Sequence, residues 1–167
     1  MAELTPQERL QPSLLDRLED DEPGRREEGR DKRVMAAGRL RECVIRDLSW
    51  LLNCTHAEAD RPLDAFPHVA RSVLNYGIPD LAGAMLADVD AGRLEQRIRE
   101  AVMAFEPRLT AHTLRVTVSA DGQRMDRRAL VFDIESEMWA QPLPLKLYLK
   151  TEVDLETGRL DVSEGYG

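Results

Sequence analysis

The hydrophobic period of this chain changes once, at Pro107, and the change decides its fold class. Upstream, apolar residues recur every three or four positions; downstream they alternate one with one. In the last upstream stretch Leu94, Ile98, Ala101, Val102 and Phe105 fall on one face of an amphipathic helix. A proline pushes the residue before it out of helical geometry, so Glu106 is expected as the last helical or first extended residue, with Arg108 just beyond. The corner made this way holds an acid and a base at a fixed place.

The remaining elements follow from the same two periods. A helix is predicted from Met35 to Asn53, with Leu40, Val44, Leu48, Leu51 and Leu52 as its buried stripe and Trp50 off its centre. Phe66 to Tyr76 predicts a second helix closed by Gly77, with Pro79 beyond it, and Leu81 to Met85 a short helical segment. Past Pro107, Leu114, Val116 and Val118 read as a strand that Asp121-Gly122 turns back. Leu130, Phe132 and Ile134 alternate with Val131, Asp133 and Glu135 in a second strand. A third sets Leu145, Leu147, Leu149, Thr151 and Val153 opposite Lys146, Tyr148, Lys150 and Glu152. Thr157-Gly158 then leads into a short strand with Leu160 and Val162. Consecutive strands with short connections imply an antiparallel meander, so the class is α+β, with helices packed on one face of a small antiparallel sheet. Lys146 and Lys150 are read as charges that keep an open sheet edge from pairing indiscriminately.

Residues 1–33 are expected to form an arm and residues 34–167 the core domain. In the arm, Pro12 to Leu18 can make a short helix whose Leu14, Leu15 and Leu18 share a face, and Glu19 to Arg33 is a mixed-charge linker broken by Pro23 and Gly24. So short a helix barely forms alone. Its leucines need a surface, either this protein's own core or a partner, and the charged linker favours the partner.

Composition narrows the functional classes. A net charge of -8 repels a phosphate backbone, so no nucleic-acid partner is expected. No apolar run approaches the roughly 20 residues of a membrane span, and acidic residues and prolines stand where a leader would be basic and then apolar. The expectation is a soluble, cytoplasmic protein. Cys43 and Cys54 lie about 16 Å apart if both are on one helix, too far for a disulfide. Cys54 and His56 lack the second ligand pair that a zinc site requires, so neither a metal nor a cofactor is expected.

No catalytic constellation stands out. Ser49 lies inside a helix and no glycine-rich phosphate loop exists, while His68 and His112 are isolated. A peptidoglycan-cleaving glycosidase would need two carboxyl groups flanking the scissile bond, one kept protonated by apolar walls. Glu106, Asp133, Glu135 and Glu137 are the candidates, but the strand carboxylates occupy positions proper to a solvated face. Three Phe, three Tyr and two Trp leave little to line a sugar cleft. Binding explains the features better, whether in a defined assembly or as an unrelated adaptor.

Three motifs in order resemble TssE, the baseplate subunit of type VI secretion systems, which is related to the lysozyme-like wedge protein of contractile phage tails. They are Leu14-Leu15-Asp16-Arg17-Leu18, the run from Arg41 to Asn53, and Glu106-Pro107-Arg108-Leu109 at the helix exit. The likeness extends from about Pro12 to the C-terminus, and departs from the pattern at Leu15, where the family often has an aromatic residue. It implies a non-enzymatic subunit that connects the wedge complex to the contractile sheath and supports sheath polymerisation. Glu106, Pro107 and Arg108 would bind sheath, helped by strand exchange at the sheet edge; Leu14, Leu15, Arg17 and Leu18 would bind the wedge. TssF and TssG are the implied wedge partners and TssB/TssC the implied sheath. Six copies would follow from baseplate symmetry, with a monomer in isolation. For Glu106 and Arg108 the plainer reading is an internal salt bridge, contributing about 0 to 1 kcal/mol if exposed.

Overall fold

The computed structural model describes residues 13–18, 24, 37–57, 63–83, 90–120, 129–139 and 144–165. Two helices and a sheet carry the core. Helix α1 spans Leu14–Leu18, α2 Ala37–Leu52, α3 Pro67–Ala70 and α4 Ala91–Phe105. Helix α2 buries Leu40, Cys43, Val44, Leu48, Leu51 and Leu52, the stripe its spacing predicts. Helix α4 begins at Asp90, whose carboxylate accepts the Arg93 N–H at 3.1 Å, and buries Leu94, Ile98 and Val102.

Strands β1 (Arg115–Ala120), β2 (Ala129–Met138), β3 (Leu145–Asp154) and β4 (Leu160–Glu164) form an antiparallel meander in that spatial order. Pairing aligns Val118, Phe132, Thr151 and Val162 in one row across the four strands, and Val116, Ile134 and Leu149 in the next. These rows meet the helices, with α4 over β1 and α2 over β4. The architecture is α+β, as the change of period predicts. On the opposite face Asp133 stands across from Lys150 and Glu137 across from Lys146.

Several local expectations give way. The helix foreseen from Phe66 to Tyr76 breaks into α3 and a 3-10 turn at Val73–Asn75. The cause lies at Ser72: its backbone is extended and its hydroxyl accepts the Leu74 N–H, a local bond that competes with helix continuation. Gly77 is therefore not a helix cap. Its φ of 126° and its approach to the Cys54 carbonyl serve the crossing of two loops, where Ile78 N–H donates to Cys54 O at 2.9 Å and His56 N–H to Ile78 O at 3.0 Å. Of Leu81 to Met85, the described part is a turn, held by Ala82 N–H on the Asp80 carboxylate. The Asp121-Gly122 turn lies outside the described residues. Val131, assigned to the solvated face, is buried. Lys146 and Lys150 guard no edge: β3 is an interior strand paired on both sides.

Thr151 is the one polar side chain in the central row of the core, and its hydroxyl has no hydrogen-bond partner among the described residues. A buried orphan of this kind costs free energy that a methyl group of the same shape does not. Thr151→Val should stabilise the fold by about 1 kcal/mol, seen as a thermal midpoint raised by about 3 °C. An unchanged or lower midpoint would mean that the hydroxyl is satisfied in solution.

The candidate docking corner

Helix α4 ends at Glu106, whose N–H still donates to Val102 O at 2.9 Å while its own backbone leaves helical geometry. Pro107 follows, and the chain is then sewn to the end of β2. Trp139 N–H donates to Arg108 O and Thr110 N–H to Glu137 O, both at 2.8 Å, around a bridge between Leu109 and Met138. The bend cannot shift without breaking these bonds.

Its two charges turn inward and meet. Glu106 is only 3% exposed. Its Oε1 accepts the Arg108 backbone N–H at 3.1 Å and Arg108 Nε at 2.6 Å, and its Oε2 accepts Arg108 Nη2. Arg108 Nη2 also reaches Asp47 Oδ2 on α2 at 2.5 Å. Burial opposes the Arg108 guanidinium, yet the hydrogen bonds and charges of Glu106 and Asp47 outweigh it and raise the pKa further.

The network continues through α2 into the arm. Asp47 Oδ1 accepts Arg46 Nε at 2.9 Å, and Arg46 Nη2 donates to Asp16 Oδ1 at 2.8 Å. Asp16 Oδ2 in turn accepts from the Ser13 backbone N–H at 3.1 Å and the Ser13 hydroxyl at 2.5 Å, while the Asp16 N–H returns a bond to Ser13 Oγ. This reciprocal box caps α1. The result is one alternating chain of charges, Asp16, Arg46, Asp47, Arg108 and Glu106, running from the arm to the corner. Arg46 also lies over the Trp50 ring, 5.1 Å from its centroid.

Burial opposes the Asp16 carboxylate, but hydrogen bonds from Ser13, Arg46 and Cys43 and the Arg46 charge outweigh it and hold the pKa at about 2, below the ordinary 3.8. A depressed acid contributes stability that is complete above its unfolded value and disappears as pH falls through its folded value. The docking of α1 should therefore hold above about pH 4 and weaken by about 2 kcal/mol between pH 4 and 2. Fluorescence of Trp50, beside Arg46, should report the release before the core unfolds, and Asp16→Asn should flatten that step. A step unchanged by Asp16→Asn would assign it to another group.

Helix α1 lies on the core by its polar side. Asp16 faces Arg46, while Leu14 and Leu18 are 75% and 74% exposed and Leu15 is 40% exposed. Leu15 helps wall a cavity of about 530 Å3 at the corner, with Leu48, Leu51, Tyr76, Phe105 and Pro107. The Arg17 side chain lies outside the described residues. Of the expected site residues, Glu106, Pro107 and Arg108 thus share one corner with Leu15. The sequence reading missed Asp16, Arg46 and Asp47 as the connection, and Trp139, 58% exposed and joined through its backbone to Arg108. The adjacent opposite charges Arg46-Asp47 were the available signal; nothing local marks Trp139.

Both sheet margins are partly dressed. Just before β1, Leu114 O accepts Arg99 Nε, and on β1 Val118 N–H donates to Glu95 Oε1. On β4, the Asn53 side chain imitates a strand, donating to Leu160 O at 2.9 Å and accepting Leu160 N–H at 3.0 Å. Asp154 N–H bonds Arg159 O and Gly165 N–H bonds Tyr148 O, so the ladder alternation turns the peptide groups of Val162 and Glu164 outward beyond Asn53.

Both Glu106 oxygens accept from Arg108, which is no geometry for a general acid, and Asp133 and Glu135 are exposed on the face away from the helices. Cys43 is buried, Cys54 exposed, and both are free. Burial, then the hydrogen bond to Asp16, raise the Cys43 pKa. Among the described residues no group of three or more His, Cys, Asp or Glu could hold a metal, and no helix is long and apolar enough to cross a membrane.

Fold and corner together define a small α+β protein whose buried charges fix the junction of its helical and sheet halves. The chain belongs to the baseplate wedge protein gp25 family, whose model matches residues 38–143, from the start of α2 to just before β3. This family includes TssE and has a structural role in the baseplates of contractile machines, among other baseplate components. No curated protein and no solved structure gives a significant match.

Proposed function

We propose that the chain is a TssE-type wedge subunit of a type VI secretion baseplate, cytoplasmic and without enzymatic activity, that links the wedge complex to the contractile sheath. The arm of residues 1–33 engages TssF and TssG through Leu14, Leu15, Arg17 and Leu18. The corner of Glu106, Pro107 and Arg108 receives the TssB/TssC sheath. Six copies enter each baseplate, and the free protein is a monomer.

The observation that carries this reading is how the corner is held. Glu106 and Arg108 are fastened inside, so they act as the corner's frame, and the exposed Pro107 and Trp139 are what a neighbour would touch. An aromatic side chain on a rigid backbone beside a proline suits a binding anchor. The outward peptide groups of Val162 and Glu164 supply a place for strand addition. The outward Leu14 and Leu18 suit a partner's apolar groove.

The test is sheath polymerisation on reconstituted baseplates. Arg108→Lys keeps the charge but loses the two-pronged hydrogen bonding. Arg108→Lys and Trp139→Ala should each cut sheath nucleation by at least about tenfold while wedge assembly proceeds. Normal sheath growth in both variants would remove the sheath assignment. Release of soluble fragments from peptidoglycan, lost in Glu106→Gln, would replace it with a hydrolase.

A further inference from the structure

A helix turns by about 100° per residue, so the position at which α1 is fastened decides which side chains it shows. Leu14 and Leu18 stand one turn apart on a single face, and Asp16, two residues from each, points to the opposite side. Asp16 is the fastening: its Oδ1 accepts Arg46 Nη2 at 2.8 Å, and its side chain is only 5% exposed. Holding the helix at that position forces both leucines outward. Leu15, on the flank between, closes against the corner cavity beside Leu48 and Trp50 of α2.

Five residues supply too few hydrogen bonds for a helix to form by itself. Away from the core the leucines would lose their shared face, and a partner would have to restore it. On the core, Ser13 and Asp16 close the first turn reciprocally while Arg46 sets the orientation. Arg46 is held in turn by Asp47, whose second oxygen belongs to Arg108. These charges are satisfied within the chain, and Leu14 and Leu18 are the apolar groups left outside.

We propose that the wedge partner recognises α1 in this docked posture, with Asp16 and Arg46 as positioning residues that present Leu14 and Leu18 ready-formed to an apolar groove. The inference rests on the wedge reading given above and adds which state of the arm is competent. Asp16 is closed off beneath the helix, so in this state it acts on the partner only through the leucines. A partner that selects one state binds more weakly in proportion to the fraction of molecules outside it. Loosening α1 therefore weakens a partner that reads the docked helix. It would tighten one that reads a free arm, because the core would no longer compete.

Surface plasmon resonance of the full chain over an immobilised TssF–TssG complex reads that sign. Asp16→Asn and Arg46→Gln should each weaken binding by at least about tenfold, although neither alters a leucine. The double variant should be no weaker than the weaker single one, since either change breaks the same contact. Hydrogen exchange should quicken at residues 13–18 in both while α2 and the sheet stay protected, which separates release of the arm from loss of the fold. Leu14→Ala/Leu18→Ala should also lose binding, but with slow exchange at those amides. Unchanged or tighter binding of Arg46→Gln would overturn the inference and leave the wedge reading standing. A loss in Asp16→Asn alone would do the same, by showing that the partner touches Asp16 directly. Failure of the wild-type chain to bind would remove the wedge reading, and this inference with it.

Discussion

Arg108→Ala should destabilise the protein by about 3 to 5 kcal/mol, far more than the loss of a surface ion pair. The reason is Glu106, whose 3% exposure leaves it no water to replace the three donors that Arg108 supplies. The backbone donor survives the substitution; both guanidinium donors do not. Asp47 loses its bond as well, though Arg46 still holds its other oxygen. Denaturant unfolding measures the loss directly. Adding Glu106→Gln to Arg108→Ala removes the stranded charge and should recover about half of it. A loss below about 1 kcal/mol for Arg108→Ala would show that the corner is energetically a surface pair despite its burial.

Gly77→Ala should cost about 4 kcal/mol and lower the thermal midpoint by about 12 °C. A Cβ at this position would stand 2.2 Å from the Cys54 carbonyl oxygen and 2.7 Å from its carbon, at a φ of 126° that side-chain-bearing residues rarely adopt. Backbone cannot yield there without opening the Ile78–Cys54 and His56–Ile78 hydrogen bonds, which join the end of α2 to the approach to α4. Pairing Gly77→Ala with Gly38→Ala provides a control, since Gly38 is helical with open space around it and should tolerate alanine with a small gain. Equal effects at the two glycines would contradict the close approach.

Those two sites illustrate what could be read from the chain alone and what could not. The helices α2 and α4 and the alternating rows of β2 and β3 were legible because burial imposes a period on long elements. The corner was legible because Pro107 acts on its immediate neighbour, and Glu106 does leave the helix where that rule places it. The segment from Phe66 to Gly77 was not, because its composition permits a helix and one serine hydroxyl bond decides otherwise. Sequence spacing located Glu106 and Arg108 but not their orientation, since Asp47 stands 61 residues before its partner. The edge role given to Lys146 and Lys150 failed for a similar reason: alternation identifies faces of a strand, and only strand order identifies margins.

The posture of α1 has a mechanical meaning. A five-residue helix fastened chiefly through Asp16, with Leu14 and Leu18 turned to the solvent, meets the core by its polar side and by Leu15 at the rim of the corner cavity. Whatever grips those leucines takes hold of a latch whose far end is the bend after α4, so a pull on the arm is felt first by Arg46 and Asp47, and through them by Arg108.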